Sequence, residues 1–127
     1  MPADASFRRY FRLVGANPPR LLMDAPPPEE DPRPFIAIAR WLAERGFAAP
    51  AIHAADEAQG LVLLEDFGDA RMREAIDDDP DAAMALYEAA VDILVALRAH
   101  PACDVRAYDR AELQREAGLL PEWYCPA

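Results

Sequence analysis

An α+β fold is predicted for this chain, with a small antiparallel sheet and one helix in the first half and helices alone in the second. Three observations carry that prediction. The first is the run Gly60-Leu61-Val62-Leu63-Leu64-Glu65-Asp66-Phe67-Gly68-Asp69, where four consecutive apolar residues follow a glycine and are stopped by two acids, an aromatic and a second glycine. A short apolar run between turn residues suits a strand buried on both faces. Periodicity alone does not separate such a strand from buried helix, but the length and the flanking glycines favour the strand. The second observation is an aromatic-rich alternation ahead of this run. The third is helical spacing of apolar residues behind it. Composition changes at the run, which therefore reads as a hinge between two lobes, residues 1–68 and residues 69–127.

In chain order, Phe7, Arg9, Phe11 and Leu13 alternate with Arg8, Tyr10, Arg12 and Val14, and their aromatic content favours a strand. Gly15-Ala16-Asn17-Pro18-Pro19 is a turn. Arg20 to Ala25 is a second strand, stopped by Pro26-Pro27-Pro28, so the two form an antiparallel hairpin. Glu29 to Arg33 is a polar lead-in to a helix, and Pro34 suits the first helical turn, where its missing N–H costs little. Phe35, Ile38, Ala39, Leu42 and Phe47 recur at helical spacing, with the helix expected over about residues 34–45 and Gly46 as its C-terminal cap. Ala51 to Asp56 is a weaker strand and Glu57 to Gly60 a tight turn. Beyond Asp69, Ala70 to Ile76 reads as a short helix. Asp77-Asp78-Asp79-Pro80-Asp81 is a start signal, because acids favour the positive end of a helix. Leu86, Ala89, Ala90, Ile93, Leu94 and Leu97 mark an amphipathic helix reaching to about His100, and Ala111 to Leu119 mark another.

Composition narrows the function. A hydrophobic content of 53% excludes a disordered chain, and 127 residues suffice for one domain with a real core. The net charge is −10 and all thirteen cations are arginine. An acidic chain without a basic stripe is a poor nucleic-acid binder. Cys103 and Cys125 lie far apart and lack metal-ligand spacing. The N-terminus has no secretory pattern, and no apolar run approaches the ~20 residues of a membrane span, so a cytoplasmic protein without a membrane partner is expected.

Three blocks carry a resemblance: Asp4-Ala5-Ser6-Phe7-Arg8-Arg9-Tyr10-Phe11-Arg12, Leu22-Met23-Asp24-Ala25-Pro26-Pro27, and Leu63-Leu64-Glu65-Asp66-Phe67-Gly68-Asp69. With the order strand, strand, helix, strand, strand, hinge, helices, the chain resembles the aminoglycoside phosphotransferase family of kinase-like fold. Within it, the nearest likeness is to the bacterial kinases that phosphorylate N-acetylmuramate and N-acetylglucosamine at the anomeric position. The resemblance implies a nucleotide-binding lobe in residues 1–68 and a partial helical lobe in residues 69–127. It also implies ATP as a substrate, Mg2+ in the intact enzyme, an amino sugar as the acceptor, and a place in cell wall recycling.

The resemblance implies a role for each block. The first would form a loop over the phosphates, with Ala5, Ser6 and Phe7 letting backbone N–H groups approach phosphate oxygens and Arg8 or Arg9 adding charge. The second departs from the general kinase pattern: Met23 and Asp24 stand where a lysine is usual, and the chain has no lysine. An arginine, Arg9 or Arg12, would have to supply the charge. The third would hold adenine through one carbonyl and one N–H among Leu64, Glu65, Asp66 and Phe67, inside an apolar slot.

Asp66-Phe67-Gly68 also spells the metal-binding triplet of protein kinases, but no His-Arg-Asp or His-Gly-Asp loop precedes it, so it reads as hinge. The catalytic aspartate and metal ligands that phosphoryl transfer needs would lie downstream of the long helix in the family. No catalytic and no metal-ligating residue is assigned within the chain. The expectation is the N-terminal part of an amino-sugar kinase, able to bind nucleotide and lacking the catalytic loop, with a missing C-terminal lobe as its partner. The alternative is a degenerate kinase-like module that docks on another protein through exposed apolar surface.

Overall fold

A computed structural model describes residues 6–105 and 107–124. Four strands, β1 (Arg9–Arg12), β2 (Arg20–Asp24), β3 (Ile52–Asp56) and β4 (Leu61–Glu65), form one antiparallel sheet in the order β1-β2-β4-β3. Helix α1 (Arg33–Ala43) joins β2 to β3. Helices α2 (Met72–Asp78), α3 (Ala83–Leu97) and α4 (Arg110–Leu119) follow the sheet. The fold class is the one expected, and residues 61–65 are strand rather than helix.

Register explains the core. Leu21 pairs with Leu64 and Met23 with Val62, which puts four apolar side chains on one face of the sheet. Ile36 of α1 completes a buried cluster with Met23, Ala25, Val62 and Leu64, and Leu21, Phe35 and Ile52 pack at its margin. Met23 and Val62 are fully buried. Burying each large member contributes about 1.5–3 kcal/mol. Only one sheet face is sealed in this way. Leu61 and Leu63 on the other face of β4 are half-buried, so the expectation of burial on both faces holds on one. The reason is that α1 is a single layer and covers a single face.

Two glycines fix the frame. After α1, Gly46 N–H donates to Ala43 at 3.1 Å and Phe47 N–H to Leu42 at 3.1 Å, with Gly46 at φ +80°. This paired pattern caps the last carbonyls of the helix, so α1 ends at Ala43, two residues short of the expected boundary. Gly60, at φ +73°, lies against the end of β2. A Cβ there would fall 1.9 Å from the Ala25 carbonyl oxygen, while Ala25 N–H donates to Gly60 at 2.8 Å.

The helical half departs from expectation in two ways. Pro80–Ala82 forms a 3-10 turn, opened by the Asp79 carboxylate accepting from Asp81 N–H, and α3 starts after it at Ala83. Helix α3 buries none of its residues: Met84, Tyr87, Val91, Ile93, Leu94 and Val95 are exposed. Apolar residues surround it, which is the pattern of a helix meant for cover on several sides. Beyond α3, the His100 ring stands edge-on to Trp41 of α1 and to Phe47, with centroids 6.4 and 5.6 Å away. Arg45 lies 4.1 Å over the Trp41 ring.

Candidate functional site

The sheet face opposite the core carries the candidate site. Phe11, Leu22 and Leu63 lie in one cross-strand row, flanked by Arg9, Asp24 and Leu61 on one side and by Arg20 and Glu65 on the other. The Ser6–Arg8 loop adjoins the Arg9 end. The segment from Glu65 to Phe67 leaves from the opposite end. Three residue steps along β1 separate the two ends, about 10 Å.

At the loop end, one carboxylate gathers three donors. Ser6 Oγ donates to Glu30 Oε1 at 2.8 Å, Phe7 N–H to the same oxygen at 3.0 Å, and Arg8 Nε to Oε2 at 3.0 Å. The Ser6 hydroxyl oxygen also accepts from Arg8 N–H at 3.1 Å. Burial pushes the Glu30 carboxyl up, but the Ser6 and Arg8 hydrogen bonds, the Arg8 charge and the Phe7 N–H outweigh it and hold it below the ordinary glutamate range. Ala5 lies outside the described residues. Arg9 donates to Asp24 across the hairpin. Of Met23 and Asp24, the two residues that the resemblance sets where a lysine is usual, Met23 faces the core with no exposed surface.

At the other end, Arg12 is shared between two aspartates. It donates to both carboxylate oxygens of Asp66 and, at 2.8 and 3.1 Å, to both of Asp69. Gly68 N–H donates to Asp66 at 2.8 Å, and the Asp66 side chain is 3% exposed. Asp66 is held below the usual carboxylate range by the Arg12 hydrogen bond first and the Gly68 N–H second; Arg12 also lowers Asp69. Both aspartates in turn raise the Arg12 guanidinium. Arg12 therefore pairs at the Asp66 end of β1 and not at the Ser6–Arg8 loop, where Arg8 pairs with Glu30 and Arg9 with Asp24.

This pairing bears on the Asp66-Phe67-Gly68 triplet. Its carboxylate closes a turn and neutralises an arginine. Asp66 and Asp69 so engaged do not fit a magnesium site, and among the described residues no group of three His, Cys, Asp or Glu side chains is placed to hold a metal. The backbone N–H groups of residues 65 and 66 are also committed. Glu65 N–H donates to Ala51 at 3.0 Å and Asp66 N–H to Pro19 at 3.3 Å. Among the described residues, the Phe67 N–H is left without an acceptor in the chain, beside a side chain that is 57% exposed.

The family model for the phosphotransferase enzyme family matches residues 1–124. The chain belongs to the phosphotransferase enzyme family. Curated relatives of this phosphotransferase chain include the N-acetylmuramate/N-acetylglucosamine kinases of Pseudomonas aeruginosa and Pseudomonas putida. Each is 44% identical over 123 residues, a match covering 96% of this chain and 36% of the relative. The kinase of the same name from Caulobacter vibrioides is 35% identical over 84% of this chain. The chain thus spans little more than a third of the length of these relatives. Among the described residues of this phosphotransferase lobe, no helix is long and apolar enough to cross a membrane.

Residues 61–65 and 9–12 announced strands by sequence, and both are strands. Glu30, counted only as polar lead-in, and the bond from Arg12 to Asp66 and Asp69 did not show, because each partner is more than twenty residues away and no local pattern marks it.

Proposed function

We propose that the chain is the N-terminal, nucleotide-binding part of an ATP-dependent kinase for an amino sugar of the N-acetylmuramate or N-acetylglucosamine type, working in the cytoplasm in cell wall recycling. The observation that supports this most is the arrangement of one sheet face: oxyanion donors at Ser6, Phe7 and Arg8 at one end, an uncommitted Phe67 N–H at the other, and an apolar row of Phe11, Leu22 and Leu63 between. In this reading adenine packs on the apolar row and accepts from Phe67 N–H, and the phosphates run toward the loop. The chain's residues bind and orient the nucleotide. Magnesium, when bound in the intact enzyme, supplies charge neutralisation at the phosphates, and its ligands and the base for the sugar hydroxyl belong to residues other than those described.

The test is calorimetric titration with ATP and with adenosine. Adenosine should retain much of the binding of ATP. Phe67→Ala should retain it and Phe67→Pro, which lacks the N–H, should lose it. Binding that required triphosphate and magnesium throughout would overturn the hinge assignment.

A second reading, a kinase-like module that docks on another protein, is favoured by the exposed apolar side chains of α3. It predicts a complex whose formation is indifferent to ATP and is lost on Val91→Glu with Leu94→Glu.

A further inference from the structure

We propose that Glu30 is an internal anion that closes the phosphate loop, its carboxylate occupying the Ser6 hydroxyl, the Phe7 N–H and the Arg8 guanidinium until nucleotide phosphate displaces it. The inference rests on the nucleotide-binding reading and adds a regulatory contact to it. Three consecutive residues present a hydroxyl, a main-chain N–H and a guanidinium to one carboxylate. That donor set is suited to any oxyanion, and a phosphate group takes the same hydrogen bonds. A carboxylate and a phosphate cannot hold all three donors together.

The surroundings favour exchange. Glu30 follows Pro26-Pro27-Pro28 in a turn closed by its own N–H donating to Pro26 at 3.0 Å, so the carboxylate is presented from outside the helix. It borders an open groove of about 460 Å³, which gives the side chain room once it leaves the loop; Arg33 in that groove is paired with Asp31. The other arginines of the lobe's open end are committed: Arg9 to Asp24, and Arg12 to Asp66 and Asp69. Arg8 is the loop cation that the departure of Glu30 would release. The depressed Glu30 carboxyl means that this anion is fully charged near neutral pH, and therefore a true competitor.

A strut role predicts the opposite sign. If Glu30 merely holds the loop in shape, its removal disorders the donors and weakens phosphate binding. The experiment is calorimetric titration of the full chain with tripolyphosphate and, separately, with adenosine, for the parent, Glu30→Gln, Glu30→Ala and Ser6→Ala. Circular dichroism confirms that each variant folds. If the donors are free about one-tenth of the time, removing the competitor tightens tripolyphosphate binding about tenfold, because apparent affinity scales with the competent fraction. Both Glu30 variants should show that gain, Ser6→Ala should weaken binding, and adenosine should be unaffected. Unchanged or weaker tripolyphosphate binding in both Glu30 variants overturns the proposal. Adenosine binding by the parent alongside that result leaves the hinge reading standing. A tripolyphosphate gain without any adenosine binding supports the latch and sinks the hinge reading alone.

Discussion

Arg12 and Asp66 stand 54 residues apart and share two hydrogen bonds, tying the outer strand β1 to the segment that leaves β4. The tie fixes the backbone that carries Phe67. Arg12→Ala and Asp66→Asn should each lower the melting temperature and weaken adenosine binding more than tripolyphosphate binding. The double variant should be more stable than the sum of the single losses predicts, since both remove one interaction. Thermal melts of the four proteins measure this. Additive losses would show that the two residues act separately.

Stability should depend on acid in a defined direction. Asp31, Asp66, Asp69 and Glu30 are all lowered from ordinary values of 3.8 for aspartate and 4.5 for glutamate. A carboxyl whose folded value is depressed binds fewer protons in the folded state than in the unfolded one. Its stabilisation is therefore complete above its ordinary value and is lost as pH falls through the depressed one. Urea midpoints should be insensitive to these groups at neutral pH and drop below about pH 4.5. Asp66→Asn should shallow that drop.

A lysine placed at Met23 should not be tolerated. Met23 is fully buried within the cluster that includes Val62 and Ile36, so Met23→Lys places an unpaired ammonium in the core at a cost of roughly 3–5 kcal/mol. Met23→Leu should cost less than about 1.5 kcal/mol. Chemical denaturation measures both. A stable Met23→Lys protein with improved ATP affinity would show that this position faces the nucleotide.

Gly60 and Gly15 make a matched pair. Both have positive φ, +73° and +80°, but an added Cβ meets the Ala25 carbonyl at Gly60 and nothing within 4 Å at Gly15. Gly15→Ala should cost about 1–2 kcal/mol, the left-handed penalty alone. Gly60→Ala should cost clearly more, because β2 and the turn before β4 must separate. Equal losses in denaturation midpoints would contradict the close approach.

Much of this architecture was legible because it is written in short-range pattern. Leu61 to Leu64 announce a strand by their flanking glycines, Gly46 ends α1 by its left-handed backbone, and Pro34 sits in the first turn as expected. What did not show is whatever depends on distant partners. Arg12 read, beside Arg9, as a candidate to supply charge for the phosphates, and only the fold brings it to Asp66 and Asp69. Glu30 read as part of the polar lead-in to α1, and only the fold brings Ser6 and Arg8 to it. Helix α3 read as amphipathic because Leu86, Ala89, Ala90, Ile93, Leu94 and Leu97 are spaced helically, yet its other faces carry Met84, Val91 and Val95. Periodicity finds one apolar stripe and does not report that the remaining sides are apolar too.

The contact of His100 with Trp41 has a practical consequence. Trp41 is one of two tryptophans in the chain, and its indole lies under the Arg45 guanidinium with the His100 imidazole at its edge. One of those neighbours comes from α1's own turn and the other from the far end of α3. The chain thus contains an intrinsic optical gauge: any swing of the helical half away from the sheet changes the environment of one indole, and its emission records that swing without a label.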